Sequence, residues 1–208
     1  IMLDKKFGAS GNHVVVEEFL TGPEVSVLSF CDGKTIKPMV SSMDHKRALD
    51  GDEGLNTGGM GTVAPNPCYT PELAAECMEK IFLPTVAAME KEGCPFKGCL
   101  YFGLMMTPDG PKVIEYNCRF GDPETQVVLP LLESDLLKIM LATTNGTLAE
   151  TEVKFSSAAA ACVILASGGY PVAYEKGKEI SGLTEGQLTD AGDGTVYHAV
   201  TAIQDGKL

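Results

Sequence analysis

The sequence is poor in basic residues, with 16 lysines and arginines against 28 aspartates and glutamates and a formal net charge of −12. Proteins that bind nucleic acid neutralise its phosphates with an excess of lysine and arginine, so this balance argues against a nucleic-acid partner. A small nucleotide is still compatible with it, because a few local cations and a metal ion can neutralise its phosphates.

No two of the seven cysteines form a C-x-x-C pair, and their number is odd. This pattern is typical of buried, reduced thiols in a cytosolic protein rather than of a disulfide framework or a zinc site. No stretch approaches the apolar length of a membrane span, and no charged and then apolar leader is present. We therefore predict a soluble, cytoplasmic protein with no membrane partner.

The chain has 208 residues, of which 44% are hydrophobic, which allows one large domain or one domain plus a smaller piece. The composition turns polar over residues 145–155, and we predict two domains, 1–150 and 151–208. Residues 1–4 read as the end of an element already under way, and residues 196–208 stop without a closing element. We therefore expect a fragment at both ends.

Hydrophobic periodicity and turn residues predict a mixture of strands and helices. Strands are predicted over residues 14–20, 24–30, 35–40, 99–107, 112–117 and, as a buried strand, 158–166. Helices are predicted over residues 71–93, 125–132 and 134–144, with Thr70 and Ser134 as caps and Pro84 as a kink. Residues 44–66 lack periodicity and are predicted to form a long loop, either functional or disordered.

The strand over residues 112–117 carries the first candidate site. Side chains alternate along a strand, so Glu115, Asn117 and Arg119 are predicted to project from one face. Carboxylate and amide oxygens are ligands suited to Mg²⁺, and an arginine beside them can hold a phosphate or carboxylate. The alternative is the solvated face of an ordinary strand.

The next residues, Phe120-Gly121-Asp122-Pro123-Glu124, add two carboxylates at a predicted strand-to-helix corner. Taken singly, Asp122 could merely cap the helix and Glu124 merely complement its dipole. Several charged and polar side chains beside a buried strand are harder to explain structurally, because buried charge is costly unless it is paired or binds a metal.

Two further segments are candidate binding elements. Glu17 to Leu20 end a predicted buried strand, where backbone groups can meet an adenine edge, and Glu24 could bind ribose hydroxyls or simply be solvated. The glycine-rich run over residues 56–61 offers free N–H groups to an anion but matches neither a Walker A loop nor a dinucleotide fingerprint. It could equally be a flexible lid, and the charged run over residues 44–47 a solvated face.

Together these residues resemble the glycinamide ribonucleotide synthetases (phosphoribosylamine–glycine ligases), which are ATP-grasp enzymes of purine biosynthesis. The most specific match is Arg119-Phe120-Gly121-Asp122-Pro123-Glu124-Thr125-Gln126. Matches of lower specificity cover residues 16–24, 44–47 with 56–61, 115–119 and 166–171. The resemblance implies an α+β fold, in which an ATP-grasp subdomain, an antiparallel sheet flanked by helices, precedes the start of a small, mainly-β C-terminal domain.

The resemblance also assigns roles to individual residues. The metal ligands it implies are Glu115 and Asn117, and the nucleoside-binding residues are Glu17, Phe19, Leu20 and Glu24. The catalytic residues it implies are Arg119, Asp122 and Lys46. The substrate-binding residues it implies are Asp44, Asn56, Thr57, Gly58, Gly59 and Glu124.

The implied reaction joins glycine to phosphoribosylamine through an acyl phosphate, with ATP and Mg²⁺ (or Mn²⁺) as cofactors, in a monomer or weak dimer. Such chemistry needs neutralised charge more than a nucleophilic side chain, which fits a sequence without a nucleophile–base arrangement. Residues 102–104 lack the aspartate that some ATP-grasp ligases carry there, so the metal set that the resemblance implies consists of Glu115 and Asn117 alone. We expect the fragment alone to be inactive, because the family's N-terminal domain and first ATP-grasp subdomain are not present. The alternatives are another ATP-grasp carboxylate–amine ligase or carboxylase, and a non-catalytic nucleotide-binding module.

Overall fold

The computed structural model of the protein describes residue 5, residues 8–183 and residues 194–208. The strands are β1 (Glu24–Asp32), β2 (Ile36–Pro38), β3 (Met43–Asp44), β4 (Arg47–Leu49), β5 (Glu53–Asn56), β6 (Gly61–Ala64), β7 (Lys97–Thr107), β8 (Gly110–Asn117) and β9 (Ala160–Val163). The α-helices are α1 (Pro71–Cys77), α2 (Leu83–Lys91), α3 (Thr125–Val128) and α4 (Leu136–Asn145). The interpretation of residues 1–4 as an interrupted element lies outside the described residues.

A four-stranded antiparallel sheet in the order β2-β1-β7-β8 forms the centre of the fold. A turn at Asp32-Gly33 joins β1 to β2, and the Asp32 carboxylate stabilises it by accepting hydrogen bonds from the Lys34 and Thr35 amides at 3.1 and 2.7 Å. Gly33 has a φ of +97°, which a residue with a side chain rarely adopts. The predicted strands at 24–30, 35–40, 99–107 and 112–117 are therefore confirmed, with small changes at their ends.

One face of this sheet packs against the helical segment that the sequence predicts over residues 71–93. Thr70 caps it by accepting a hydrogen bond from the Leu73 amide at 3.3 Å. Between α1 and α2 the backbone forms one π-helical turn, Met78–Phe82. Pro84 follows directly and has no N–H to donate to the preceding turn, which accounts for the irregular geometry at the predicted kink. The Phe82 ring meets Phe102 of β7 at a centroid distance of 4.2 Å.

The opposite face of the sheet is covered by α3, a 3₁₀ turn (Leu129–Leu131) and α4. The cap of α4 is Asp135, whose carboxylate accepts a hydrogen bond from the Lys138 amide at 3.2 Å, and the prediction of Ser134 as cap is wrong. The Ser134 hydroxyl instead accepts a hydrogen bond from the Lys154 amide at 2.9 Å.

Residues 44–66 contain strands, so the prediction of a long irregular loop is wrong. Strand β6 pairs with β3 and with β9, and β4 pairs with β5 as a separate ribbon. The pairing of β6 with β9 joins residues about a hundred positions apart, and no local periodicity reports such a contact. The division at residue 150 stays a prediction, although β9 places residues 160–163 in a sheet with residues 43–64.

Two predicted buried strands are also corrected. Residues 14–20 form no strand, and their apolar side chains lie in solvent, with Val16 and Phe19 each 90% exposed. The strand predicted over residues 158–166 is limited to β9, and Val163 is 76% exposed. Within the second segment, Ala160 and Cys162 are partly buried against the apolar cluster beneath α3 and α4.

All seven cysteines are free, as predicted, but three of them are exposed rather than buried: Cys68, Cys94 and Cys118. Within the described part of the chain, no helix is long and apolar enough to cross a membrane. The α+β class is confirmed by antiparallel sheets with helices on both faces of the central one.

Candidate functional site

A small cleft, with a cavity volume of about 10 Å³, lies on the central sheet where β1, β7 and β8 meet the residues that follow β3. Its lining includes Glu24, Ser26, Lys46, Tyr101, Gly103 and Glu115. Three of these residues, Glu24, Lys46 and Glu115, are predicted site residues from three separate segments of the sequence. The fold therefore brings the predicted ribose, substrate and metal elements to one place.

Beneath this cleft lies a buried carboxylate, Glu124, which is only 3% exposed. Its Oε1 accepts hydrogen bonds from the Tyr101 hydroxyl at 2.5 Å and from the Ser26 hydroxyl at 3.2 Å. The single proton of the Ser26 hydroxyl is shared between Glu124 and the Tyr101 oxygen, which lies 2.7 Å away. Burial, followed by the charge of Glu124, raises the pKa of Tyr101, so its hydroxyl stays protonated and can donate.

Asp44 lies close to this network. Burial and then the charge of Glu124 raise the pKa of Asp44 to about 6, while Lys46 acts in the opposite direction. Within the described residues, Oδ1 of Asp44 is buried and has no hydrogen-bond partner. Asp44 is therefore a carboxylate that is poorly solvated and close to a second negative charge.

Lys46 provides the positive charge of the cleft. Its ammonium donates to Oε2 of Glu24 at 3.1 Å, and the two side chains are 34% and 44% exposed. Burial lowers the pKa of Lys46. The hydrogen bond and charge of Glu24, followed by the charges of Asp44 and Glu115, outweigh burial and leave this pKa raised. A cation held among three carboxylates in a cleft is a suitable partner for a phosphate or carboxylate of a substrate.

Glu115 and Asn117, the two predicted metal ligands, both lie on β8. Asn117 Nδ2 donates to Oε1 of Glu115 at 3.1 Å, which confirms that these two side chains share a face. Mg²⁺ is commonly held by one or two protein oxygen ligands plus phosphate oxygens and water, so this pair fits such an ion. Among the described residues no group of three or more His, Cys, Asp or Glu forms a metal cluster, and a site here would depend on ligand oxygens.

Arg119 lies two residues beyond β8, which ends at Asn117 as predicted, and its sharing of a face with Glu115 and Asn117 stays a prediction. Its guanidinium donates to the carbonyl oxygen of Phe120 at 2.8 Å. Burial raises the pKa of Cys99 to about 12, and the Ser29 backbone and the Arg119 charge act against that rise. Arg119 is exposed, and its charge acts on Cys99 of β7.

The corner at residues 121–124 differs from its predicted form. Helix α3 begins at Thr125, as predicted, but its N-cap position is Glu124, so Asp122 does not cap it. Asp122 Oδ1 accepts a hydrogen bond from Nε2 of Gln126 at 2.6 Å, and Asp122 remains exposed. Glu124 projects into the protein, where its hydrogen bonds are those of a supporting residue, so a direct substrate contact would require the corner to open.

The glycine-rich segment between β5 and β6 packs against this corner and against Asp44. The Thr57 hydroxyl donates to the carbonyl oxygen of Lys46 at 2.9 Å and accepts from the Gly59 amide at 3.0 Å. Gly59 has a φ of +127°, and a Cβ placed there would lie 2.7 Å from Oδ1 of Asp44. Only glycine therefore fits at this position.

Gly58 and Asn56, two of the predicted substrate-binding residues, lie at the edge of this region. The Gly58 amide donates to the Tyr170 hydroxyl at 3.3 Å, which joins the segment to the chain after β9. Asn56 is exposed at the end of β5, opposite Arg47. Its predicted contact with substrate is compatible with this exposure and stays a prediction.

Most of the predicted nucleoside residues before β1 are exposed. Glu18 forms an ion pair with Lys112 of β8 at 2.7 Å, which holds the segment beside the sheet. Glu17 and Phe19 face solvent, and Leu20 is partly buried. Of the predicted nucleoside set, the structure places only Glu24 in the cleft.

Comparison with known proteins identifies the family of the chain. Residues 1–125 match the family model described as phosphoribosylglycinamide synthetase, ATP-grasp (A) domain, and residues 160–208 match the C domain of the same enzyme. The chain belongs to the phosphoribosylglycinamide synthetase family. The family resemblance drawn from the motifs is confirmed.

Individual members of the phosphoribosylglycinamide synthetase family are similar over the whole chain. A phosphoribosylamine–glycine ligase of Caldanaerobacter subterraneus is 49% identical over 100% of this chain and 49% of its own length. A trifunctional purine biosynthetic protein of Gallus gallus is 51% identical over 100% of this chain and 20% of its own length. The crystal structure of a phosphoribosylamine–glycine ligase from Thermotoga maritima superposes with a TM-score of 0.79 at 38% identity, covering 92% of this chain and 46% of that one. The chain thus spans about half the length of the single-function ligases that it matches.

Sequence reasoning missed Ser26 and Tyr101, the two donors to Glu124. Ser26 is a polar residue in the otherwise apolar run Val25 to Leu28, which is the one local sign of its role. Tyr101 gives no such sign, because a tyrosine in a strand of Leu, Phe and Met reads as an ordinary core residue.

Proposed function

We propose that the full-length protein is an ADP-forming carbon–nitrogen ligase that joins glycine to phosphoribosylamine, using ATP and a divalent metal ion. The observation that supports this most strongly is the cleft that gathers Glu24, Lys46 and Glu115 beside the buried Glu124 network. Family membership and the names of the similar ligases indicate the substrates.

In the proposed reaction, an oxygen of the glycine carboxylate attacks the γ-phosphorus of ATP, and the bond to the β-phosphate oxygen breaks to release ADP. The amine of phosphoribosylamine then attacks the acyl carbon, loses a proton and displaces inorganic phosphate. Both steps move negative charge, so positioning and charge neutralisation decide the rate.

We assign the residues of this chain accordingly. Glu115 and Asn117 hold the divalent ion, which neutralises phosphate charge when bound. Lys46, which is poised against Glu24 at 3.1 Å, neutralises the transferring phosphoryl group or the carboxylate that receives it. Arg119 and the exposed carboxylate of Asp122 lie at the corner that we assign to the substrates, and the glycine-rich segment lies beside it, with the Gly58 and Gly59 amides held by Tyr170 and Thr57.

The first test is a ligation assay on the full-length protein with ATP, Mg²⁺, phosphoribosylamine and labelled glycine. We expect glycinamide ribonucleotide with one ADP and one phosphate per product. Glu115→Gln should lower kcat/KM by about 100-fold, as the loss of a group that stabilises transition-state charge does. The matched control is Glu133→Gln, which removes an exposed ion pair with Lys154 and should leave turnover unchanged.

The same assay discriminates between the candidate functions. Turnover with a different amine or carboxylate, and none with glycine and phosphoribosylamine, would favour another ATP-grasp ligase or a carboxylase. Metal-dependent ATP binding without any ligation would favour a nucleotide-binding module. We also propose that the 208-residue chain alone does not turn over, since it spans 49% of a single-function relative. Turnover by this chain alone near that of the full-length protein would refute that proposal. Cytoplasmic location and a monomeric or weakly dimeric state stay predictions.

A further inference from the structure

The pairing of β7 with β8 is interrupted by one extra residue in β8. From the turn inward the partners match one to one up to Leu104 and Val113, but the next pair is Gly103 and Glu115. Ile114 is therefore a bulged residue without a partner. The bulge lies immediately before the carboxylate assigned to the metal.

This extra residue reverses the direction of Glu115. In a regular strand Val113 and Glu115 would share a face, because side chains two positions apart point the same way. Val113 packs against the apolar cluster under the helices α1 and α2. With the bulge, Glu115 lies opposite Gly103 and lines the cleft on the other face. Without it, a carboxylate would enter an apolar layer at high cost.

Gly103 provides the space into which Glu115 turns. A Cβ placed on Gly103 would lie 3.0 Å from Cγ of Glu115, closer than such atoms normally approach. The φ of Gly103 lies outside the left-handed region, so an L residue could adopt its backbone conformation. The missing side chain therefore serves the position of Glu115 and not the path of the strand.

We propose that Gly103 and the bulge at Ile114 together position Glu115 for the divalent ion, with Gly103 as a positioning residue of the site. The bulge selects the face, and the bare Cα of Gly103 lets the side chain lie across β7 beside Asn117, at 3.1 Å from its amide. The inference rests on the proposed assignment of Glu115 to the metal.

The test measures Mn²⁺ affinity of the full-length protein by electron paramagnetic resonance, in the presence of ADP. Four variants are compared: Gly103→Ala, Gly103→Val, Glu115→Gln and the control Met105→Val. Met105 lies on the same strand and face but opposite Lys112, away from Glu115. We expect Gly103→Ala to weaken Mn²⁺ binding by about 10-fold, as loss of a group that orients a ligand does, and Gly103→Val to weaken it further. Met105→Val should leave the affinity unchanged.

A double variant shows whether Gly103 acts through Glu115. In the Glu115→Gln protein, adding Gly103→Ala should cause no further loss of Mn²⁺ affinity. The urea midpoint of this double variant should not fall below that of Glu115→Gln. An equal loss on both backgrounds would mean a general disturbance of the strand and would overturn the proposal. Unchanged affinity in Gly103→Ala and Gly103→Val, with a loss in Glu115→Gln, would also overturn it and leave the metal assignment intact. If Glu115→Gln itself binds Mn²⁺ normally, the metal assignment is wrong and the positioning role falls with it.

Discussion

Replacing Tyr101 by phenylalanine removes one hydroxyl group from the centre of the site. That hydroxyl donates to Glu124 at 2.5 Å and contacts Ser26 at 2.7 Å, and the surroundings are dry, with Tyr101 only 4% and Glu124 only 3% exposed. In Tyr101→Phe the buried Glu124 carboxylate therefore keeps, among the described residues, one side-chain donor, the Ser26 hydroxyl at 3.2 Å.

The size of the effect follows from this burial. A hydrogen bond to a charged group contributes about 1.5–3 kcal/mol, and an unsatisfied buried partner adds to the loss. We expect Tyr101→Phe to lower the free energy of unfolding by about 2–3 kcal/mol. Ser26→Ala should cost less, about 1 kcal/mol, because its 3.2 Å bond is longer and Tyr101 remains.

Urea unfolding followed by circular dichroism measures these differences at pH 7. The matched control is Tyr116→Phe, which loses a hydroxyl contact to Thr85 at 3.2 Å from a residue that is 47% exposed. It should change the free energy of unfolding by no more than about 0.5 kcal/mol. A double-mutant cycle of Tyr101→Phe with Glu124→Gln should show coupling, since each removes one side of the same bond.

The reasoning is refuted if Tyr101→Phe unfolds at the same urea concentration as the parent protein. That outcome would mean that water or another donor replaces the hydroxyl, so that Glu124 is not dependent on Tyr101. A loss shared equally by Tyr116→Phe would point to a general effect of removing hydroxyls from this sheet.

Three further predictions concern the charges and contacts around the cleft. Asp44→Asn should stabilise the protein above pH 6 by on the order of 1 kcal/mol, after allowance for solvent screening, because the raised pKa of about 6 means that folding disfavours the charged form. Since the folded pKa exceeds the unfolded one, this penalty is absent below about pH 4 and grows up to about pH 6, so urea midpoints of parent and variant should diverge across that window. Lys46→Met should lower the ligation rate by about 100-fold and leave the urea midpoint within error, because the half-exposed ion pair of Lys46 with Glu24 contributes little to stability. A clear fall in the urea midpoint of Lys46→Met would contradict this. Tyr170→Phe removes the acceptor for the Gly58 amide at 3.3 Å. It should raise the KM for the anionic substrate by about 3-fold with little change in kcat. Steady-state kinetics measures both constants, and a fall in kcat with an unchanged KM would contradict the prediction.

The sequence predicted much of the local structure correctly. The strands β1, β7 and β8 alternate or run apolar between turn residues, and the segment from Thr70 to Lys91 carries its own cap and apolar face. Such elements depend on contacts within a few residues, so their periodicity is visible in the chain. Predictions failed where pairing is distant, as in residues 44–66, or where apolar residues lie uncovered, as in residues 14–20.

The candidate site shows the same division. The family was determined by the sequence, because short motifs such as residues 115–119 and 119–126 carry it, and the metal-, phosphate- and substrate-binding roles of those residues stay predictions. Only the tertiary structure decided that Glu115 faces the cleft, since that depends on one bulged residue in a strand pair. It also decided that Glu124 is buried against Ser26, 98 positions away along the chain. Burial and strand register are properties of segments in contact, and a linear pattern does not contain them.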